Sequence, residues 1–264
     1  MNGLNGKVVL VTGGNSGIGR AAALLCASRA AKVVIAARDA TRGQRVADQI
    51  TSQGGDAIFV RTDVANNSDV QTLVEHTVRH YGRLDCALNN AALGEGLFQD
   101  TADFGEDEFD RVVGVNLKGV WLCMKHEIHQ MLAQDLPGAI VNTSSVNGLG
   151  AAPQGAVYSA TKAGVLALTK AAAQEYATHG IRVNALVAGA FATPMLAGVF
   201  ERYAQHQGVS PEEVETRYTS LIPMRRIGRP EEAAQAAVWL CSEQASYVTG
   251  HSMIVDGGLT CPVR

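Results

Sequence analysis

Tyr158 and Lys162 stand four residues apart in the segment SVNGLGAAPQGAVYSATK, Ser145 to Lys162. A helix from about Gly155 onward puts both side chains on one face, one turn apart. A phenol alone has a pKa near ~10, too high for a base at neutral pH. An ammonium ~4 Å away favours the phenolate by roughly 4 kcal/mol at an effective dielectric of ~20, before desolvation opposes it. Such a pair can bring a proton-transferring group toward neutrality. Ser145 ends the apolar run AIVNTSS, which reads as a strand, and can present a hydroxyl to the same pocket. Tyr-x-x-x-Lys pairs also occur on ordinary solvated helices, so the meaning of this one depends on the elements around it.

Those elements alternate. The run KVVLV, Lys7 to Val11, reads as a buried parallel strand and feeds the turn TGGNSGIG, Thr12 to Gly19. The helical pattern RAAALLCASRA follows. A strand, a glycine-rich turn and a helix N-terminus together form an anion site, with free N–H groups and the helix dipole aimed at a phosphate. Gly13, Gly17 and Gly19 allow the tight turn, close approach of a pyrophosphate and close helix packing. The second strand is KVVIAAR, Lys32 to Arg38. At its end an acidic residue would bind ribose hydroxyls and an arginine would accept a 2′-phosphate; here Ala37 and Arg38 occupy the place, with Asp39 one residue later. The third strand is DAIFVRTDV, Asp56 to Val64, with Asp63 placed to cap a helix or touch an adenine amine.

A helix through Val70 to Tyr81 leads to a fourth strand, Leu84 to Ala92, containing Asn89 and Asn90. His76 and His80 have metal-ligand spacing but no third ligand nearby, so they read as a solvated face, as do His126 and His129. A helix from Glu108 to about Gln134 is apolar nearly all round within VVGVNLKGVWLCM, so Asn116 is a buried polar side chain in need of partners. It either satisfies a neighbouring backbone group or holds a water in a proton path. The fifth strand is Ala139 to Ser145, and the helix carrying Tyr158 continues through Glu175. Ile181 to Gly189 and His251 to Gly258 are the sixth and seventh strands. Between these two, residues 190–222 form the least regular stretch, with Phe191, Met195, Leu196, Phe200 and Tyr203 among polar residues. It is a candidate lid over a ligand or a helical hairpin filling a gap in the surface.

The alternation implies an α/β fold: one domain over residues 1–264 with a doubly wound, Rossmann-like parallel sheet of seven strands. Apolar residues make up 47% and charged residues 18%, enough for a sizeable core, and no linker divides the chain. A formal charge of −3 gives no reason to expect nucleic acid or an anionic membrane as partner. The N-terminal MNGLNGKVVLVTGG lacks a signal-peptide layout, and no run approaches the ~18 apolar residues of a membrane span. Five scattered cysteines without a CxxC spacing read as buried or free thiols in a reducing compartment, so a cytoplasmic location is expected.

With these motifs in place, the chain resembles the short-chain dehydrogenase/reductase family over essentially its whole length. TGGNSGIG matches the family's cofactor turn, and NNAA at 89–92 is similar to its NNAG motif. Asn116, Ser145, Tyr158 and Lys162 match its catalytic tetrad in order and spacing, and Thr193 to Met195 and VTGHSMIVDGG resemble two further signatures. Two positions depart from the pattern: Ala188 replaces a proline before Gly189, and Ala92 replaces the NNAG glycine.

The resemblance implies hydride transfer between NADP (alternatively NAD) and a small secondary alcohol or ketone. Tyr158 would be the acid/base, Lys162 would lower its pKa and bind the nicotinamide ribose, and Ser145 would orient the substrate oxygen. Asn116 would hold a water linking Lys162 to solvent. Gly13, Asn15, Ser16, Gly17, Ile18, Gly19, Arg38, Asp63, Val64, Asn90, Ala91, Gly189 and Thr193 would meet the cofactor alongside Tyr158 and Lys162. The resemblance also implies a homo-oligomer, specifically a tetramer. A catalytically silent dinucleotide-binding sensor or scaffold is the competing reading, and an epoxide-forming dehalogenase a third.

Overall fold

The computed structural model describes residues 3–95, 97 and 99–261. The β-branched runs form seven strands: β1 (Val8–Thr12), β2 (Lys32–Ala37), β3 (Asp56–Arg61), β4 (Cys86–Asn89), β5 (Gly138–Ser145), β6 (Ile181–Ala188) and β7 (Ser252–Val255). They pair in parallel, in the order β3-β2-β1-β4-β5-β6-β7. The direction of winding reverses between β1 and β4, which opens a crevice at the carboxyl ends of those strands.

Nine α-helices are described: α1 (Gly17–Ser28), α2 (Ala40–Ser52), α3 (Asn67–Tyr81), α4 (Glu106–Val113), α5 (Gly119–Ala133), α6 (Ala156–Tyr176), α7 (Pro194–Gln207), α8 (Pro211–Leu221) and α9 (Pro230–Cys241). Alternation along the strands divides the core between two faces. Val9 and Val11 pack with Ala22 and Cys26 of α1 and Ala234 and Val238 of α9. Leu10, between them, packs on the other face with Leu73 of α3, Met124 and Ile128 of α5 and Val165 of α6.

Several boundaries differ from the sequence reading, among them β4, which ends at Asn89 rather than Ala92, and β7, which ends at Val255 rather than Gly258. The third strand ends at Arg61 rather than Val64 because its partner β2 ends at Ala37, and Asp63 turns out of the sheet. The long helix expected from Glu108 to Gln134 begins at Glu106 and is interrupted by a π turn at Gly114–Lys118, between α4 and α5. The stretch 190–222, read from the sequence as a lid or a helical hairpin, is largely helical. Thr193 caps α7 ahead of Pro194, and Ser210 with Glu213 forms a capping box ahead of α8. Phe200, Ala204 and Val214 give the two helices a small core of their own.

Candidate active site

The glycine turn between β1 and α1 is built for close approach. Gly13 and Gly17 have φ of +65° and +50°, where other residues are strained. A Cβ at Gly13 would lie 2.9 Å from Ala91 Cα. Gly19 is a packing position: a Cβ there would strike the Gly13 carbonyl oxygen and Asn90 Nδ2. The N-cap of α1, Ser16, makes no side-chain cap, so the first N–H groups of the helix are left for another partner. The Thr12 hydroxyl accepts from the Asn90 and Ala91 N–H groups at 3.1 and 3.2 Å, tying the end of β4 to this turn.

From here a cavity of about 560 Å³ crosses the carboxyl ends of the strands. Gly13, Asn15, Ser16, Gly17 and Ile18 line one part of it, and Ala37, Arg38, Arg42, Asp63 and Val64 another. Asn90, Ala91, Gly189 and Thr193 line its middle course, and Ser145, Tyr158 and Lys162 line it beneath α6. A bare glycine turn, an uncapped helix N-terminus and two cations along one cavity suit a dinucleotide with its phosphates.

The adenosine side holds a cation that the sequence reading missed. Asp39 does not pair with Arg38. It caps α2 by accepting from the Arg42 N–H at 2.9 Å, and its carboxylate meets Arg42 Nε at 3.1 Å. Arg38 is thereby left without an ion pair among the described residues, on the cavity wall beside buried Ala37. The signal for Arg42 was present in the i, i+3 spacing of an N-cap aspartate and an arginine.

Lys162 sits over the face of the Tyr158 ring, its Nζ 5.7 Å from the centroid, and donates to the Thr143 carbonyl at 2.9 Å. Both side chains are buried. Burial pushes the Tyr158 phenol above its ordinary value, and the neighbouring Tyr218 phenol adds to the effect. The Ser145 hydroxyl pulls the other way. Burial also pushes the Lys162 ammonium down to about 8. The expected lowering of the phenol by the ammonium is therefore not seen here. The cation bonds a carbonyl and covers a ring face instead of standing at the hydroxyl, and desolvation disfavours both charged forms.

Asn116 is fully buried in the π turn and does not line the cavity. Its Oδ1 accepts from the Leu93 N–H at 2.7 Å and its Nδ2 donates to the Leu93 carbonyl at 3.0 Å. Its side chain reaches the site through Leu93, which does line the cavity. Of the stretch 93–103, Gly96 and Phe98 lie outside the described residues.

Beneath the sheet's active edge lies a buried network that the sequence reading did not see. Asn89 points away from the cavity and donates to Glu127 Oε2 at 2.9 Å and to Asn142 Oδ1 at 3.0 Å. Asn142 in turn donates to Thr169 Oγ1 at 3.0 Å. Glu127 is fully buried, and its carboxyl is pushed up to about 8 by desolvation, which leaves it neutral at pH 7. The signal was a carboxylate at helical spacing from Cys123, Met124 and Met131 in WLCMKHEIHQM, on the apolar face of the helix.

Residues 13–260 match the family model described as enoyl-(acyl carrier protein) reductase. The chain is 41% identical over 261 residues to 2,5-dichloro-2,5-cyclohexadiene-1,4-diol dehydrogenase of Sphingobium indicum, covering 98% of this chain and 99% of that protein. It superposes on a crystal structure of 3-ketoacyl-(acyl-carrier-protein) reductase from Brucella melitensis complexed with NADH with a TM-score of 0.86, at 37% identity over 97% of this chain and 99% of the other. A variant of actinorhodin polyketide ketoreductase with NADPH gives a TM-score of 0.92 at 34% identity, over 97% of this chain and 98% of that one.

Proposed function

The chain belongs to the short-chain dehydrogenase/reductase family, and on that premise we propose how its own residues serve the reaction. The protein is an NAD(P)-dependent oxidoreductase acting between a secondary alcohol and a ketone. The nicotinamide, when bound, supplies or accepts the hydride. Tyr158 gives its proton to the carbonyl oxygen in reduction and takes the hydroxyl proton in oxidation. Ser145 directs that oxygen toward the phenol. Lys162, buried beside them, supplies the neighbouring positive charge and would hold the nicotinamide ribose. Asn116 acts on the site by fixing Leu93. The glycine turn would hold the pyrophosphate, Arg38 and Arg42 the adenosine end, Asp63 and Val64 the adenine, and Gly189 and Thr193 the nicotinamide.

One observation carries this reading: Ser145, Tyr158 and Lys162 converge on the same cavity that the glycine turn and Arg38 line. A silent sensor has no need of that convergence. The test is oxidation of NADPH and NADH against a panel of ketones, with Tyr158→Phe as the control that must lose turnover. A panel that leaves both cofactors untouched overturns the assignment.

The finer assignments rest on particular residues. NADP(H) is the preferred cofactor, supported by Ala37 and the unpaired Arg38. The α7–α8 hairpin is the lid that selects the substrate, supported by Phe191, Met195, Leu196 and Val199 on the cavity wall. The relative's cyclohexadiene-diol activity supports a compact, moderately apolar ring substrate. A homotetramer is supported by exposed Phe109 and Trp121 on α4 and α5 and Ile254 on β7. The five free cysteines support a reducing, cytoplasmic setting, and no described helix is long and apolar enough to cross a membrane.

A further inference from the structure

The cavity holds a second phenol. Tyr218 of α8 is half-buried and lines the same cavity as Tyr158 and Ser145. Its ring is set by Phe200, with centroids 5.7 Å apart and an interplanar angle of 52°. Leu196 and Val199 pack with it on the same small apolar core, and Leu93, Leu97 and Met195 also line the cavity. The Thr193 hydroxyl on the same side is already occupied, accepting the Leu196 N–H at 3.2 Å. Burial and then the Asp256 charge push the Tyr218 phenol up, but the Asp256 carboxylate oxygens accept from Gly258 N, Thr260 N and Thr260 Oγ1. The Tyr218 hydroxyl makes no hydrogen bond to any described residue.

A half-buried hydroxyl on an apolar wall, with no protein partner, is a group left for a ligand. Tyr158 lines the same cavity, so both phenols serve one compartment. We propose that Tyr218 reads a second oxygen on the substrate: the natural substrate is a compact, apolar secondary alcohol or ketone carrying a further hydroxyl or carbonyl group. A phenol both donates and accepts, so either group satisfies it. Phe200 and Val214 hold α8 in place against α7, and the lid thereby carries a polar determinant as well as apolar surface. This proposal rests on the oxidoreductase reading.

The test compares Tyr218→Phe with the unmodified enzyme on cyclohexanone, 2-hydroxycyclohexanone and 1,4-cyclohexanedione. Phenylalanine keeps the ring and its packing on Phe200, and unchanged NADPH binding by fluorescence reports a folded protein. The unmodified enzyme is expected to favour at least one of the two-oxygen substrates over cyclohexanone in kcat/KM. Tyr218→Phe is expected to reduce that ratio about three- to tenfold, mainly through KM, the range of one neutral hydrogen bond. An unmoved ratio, or an equal fall on all three ketones, overturns the role given to Tyr218 while leaving the oxidoreductase reading intact. No turnover of any ketone by the unmodified protein overturns both.

Discussion

Asn116 and Leu93 are joined at two points. The Leu93 N–H donates to Asn116 Oδ1 at 2.7 Å, and Asn116 Nδ2 donates back to the Leu93 carbonyl at 3.0 Å. One buried side chain thus satisfies both backbone groups of a residue on the cavity wall. Asn116→Ala strands both groups, and a stranded buried group costs about 1–3 kcal/mol. The expected result is a lower melting temperature together with a raised KM for ketone. An unchanged melting temperature with a fall in kcat alone would give Asn116 the proton-path role instead.

Tyr158→Phe removes the transferable proton and keeps the ring. Turnover is expected to fall at least ~100-fold, the low end for general acid–base catalysis, with cofactor affinity nearly unchanged. Near-normal turnover on a good substrate would sink the mechanism.

The titrations of this pair have a direction. A phenol raised by burial stays protonated at neutral pH, the state needed to donate in ketone reduction. Reduction is expected to hold steady through neutrality and decline as Lys162 loses its proton near about 8. Alcohol oxidation, which needs the phenolate, is expected to rise with pH over the same range. Initial rates in both directions from pH 6 to 10 check this, and parallel profiles would contradict it.

Cofactor choice is expected to turn on Arg38 and Arg42, which both line the cavity. A charge-assisted hydrogen bond contributes about 1.5–3 kcal/mol, and ~1.4 kcal/mol is tenfold. NADP(H) is therefore expected over NAD(H) by roughly ten- to hundredfold in kcat/KM. Arg38→Ala should erase the preference through the NADP(H) KM, and Ala37→Asp should reverse it. Asp39→Asn keeps an N-cap for α2, releases Arg42 and removes a negative charge, so it should sharpen the preference. Equal or better rates with NADH in the unmodified protein would return Arg38 to the surface.

Glu127 gives the fold a pH dependence. A carboxyl raised from 4.5 to about 8 in the native state binds more protons there than in the unfolded chain. Its contribution to stability is full below pH ~4.5 and is lost as pH rises toward about 8, by up to ~1.4 kcal/mol per pH unit. Glu127→Gln cannot ionise, so the variant should gain on the unmodified protein between pH 5 and 8. Urea midpoints at three pH values measure the gap, and a constant gap would mean the carboxyl is charged when folded.

The features legible in the sequence were those set by local chemistry. The glycine turn, the strand runs and the cavity positions of Ser145, Tyr158 and Lys162 follow from spacing and from β-branched runs bounded by turns. Features that depend on the arrangement of more distant groups were not legible. Spacing puts Lys162 beside Tyr158, but only the fold supplies the Thr143 carbonyl that turns the ammonium away from the hydroxyl. Asn89 and Glu127 meet only because β4 packs on α5. The α7–α8 hairpin was one of two alternatives for 190–222, with Thr-Pro and Ser-Pro-Glu-Glu as its start signals in plain view.

The π turn at Gly114–Lys118 has a consequence for how this rod tolerates length changes. Widening one turn by a residue advances everything after it by about 100° around the helix axis. The segment before it can then lay its face on α6 while the segment after it lays another on α3. The interruption acts as a phase shifter between two packing registers on one continuous rod. Deleting any single residue from 114 to 118 would restore an uninterrupted α-helix and leave one of those registers facing water, so Gly114 and Lys118, where a new side chain meets open space or solvent, should tolerate substitution far better than the stretch tolerates a change of length.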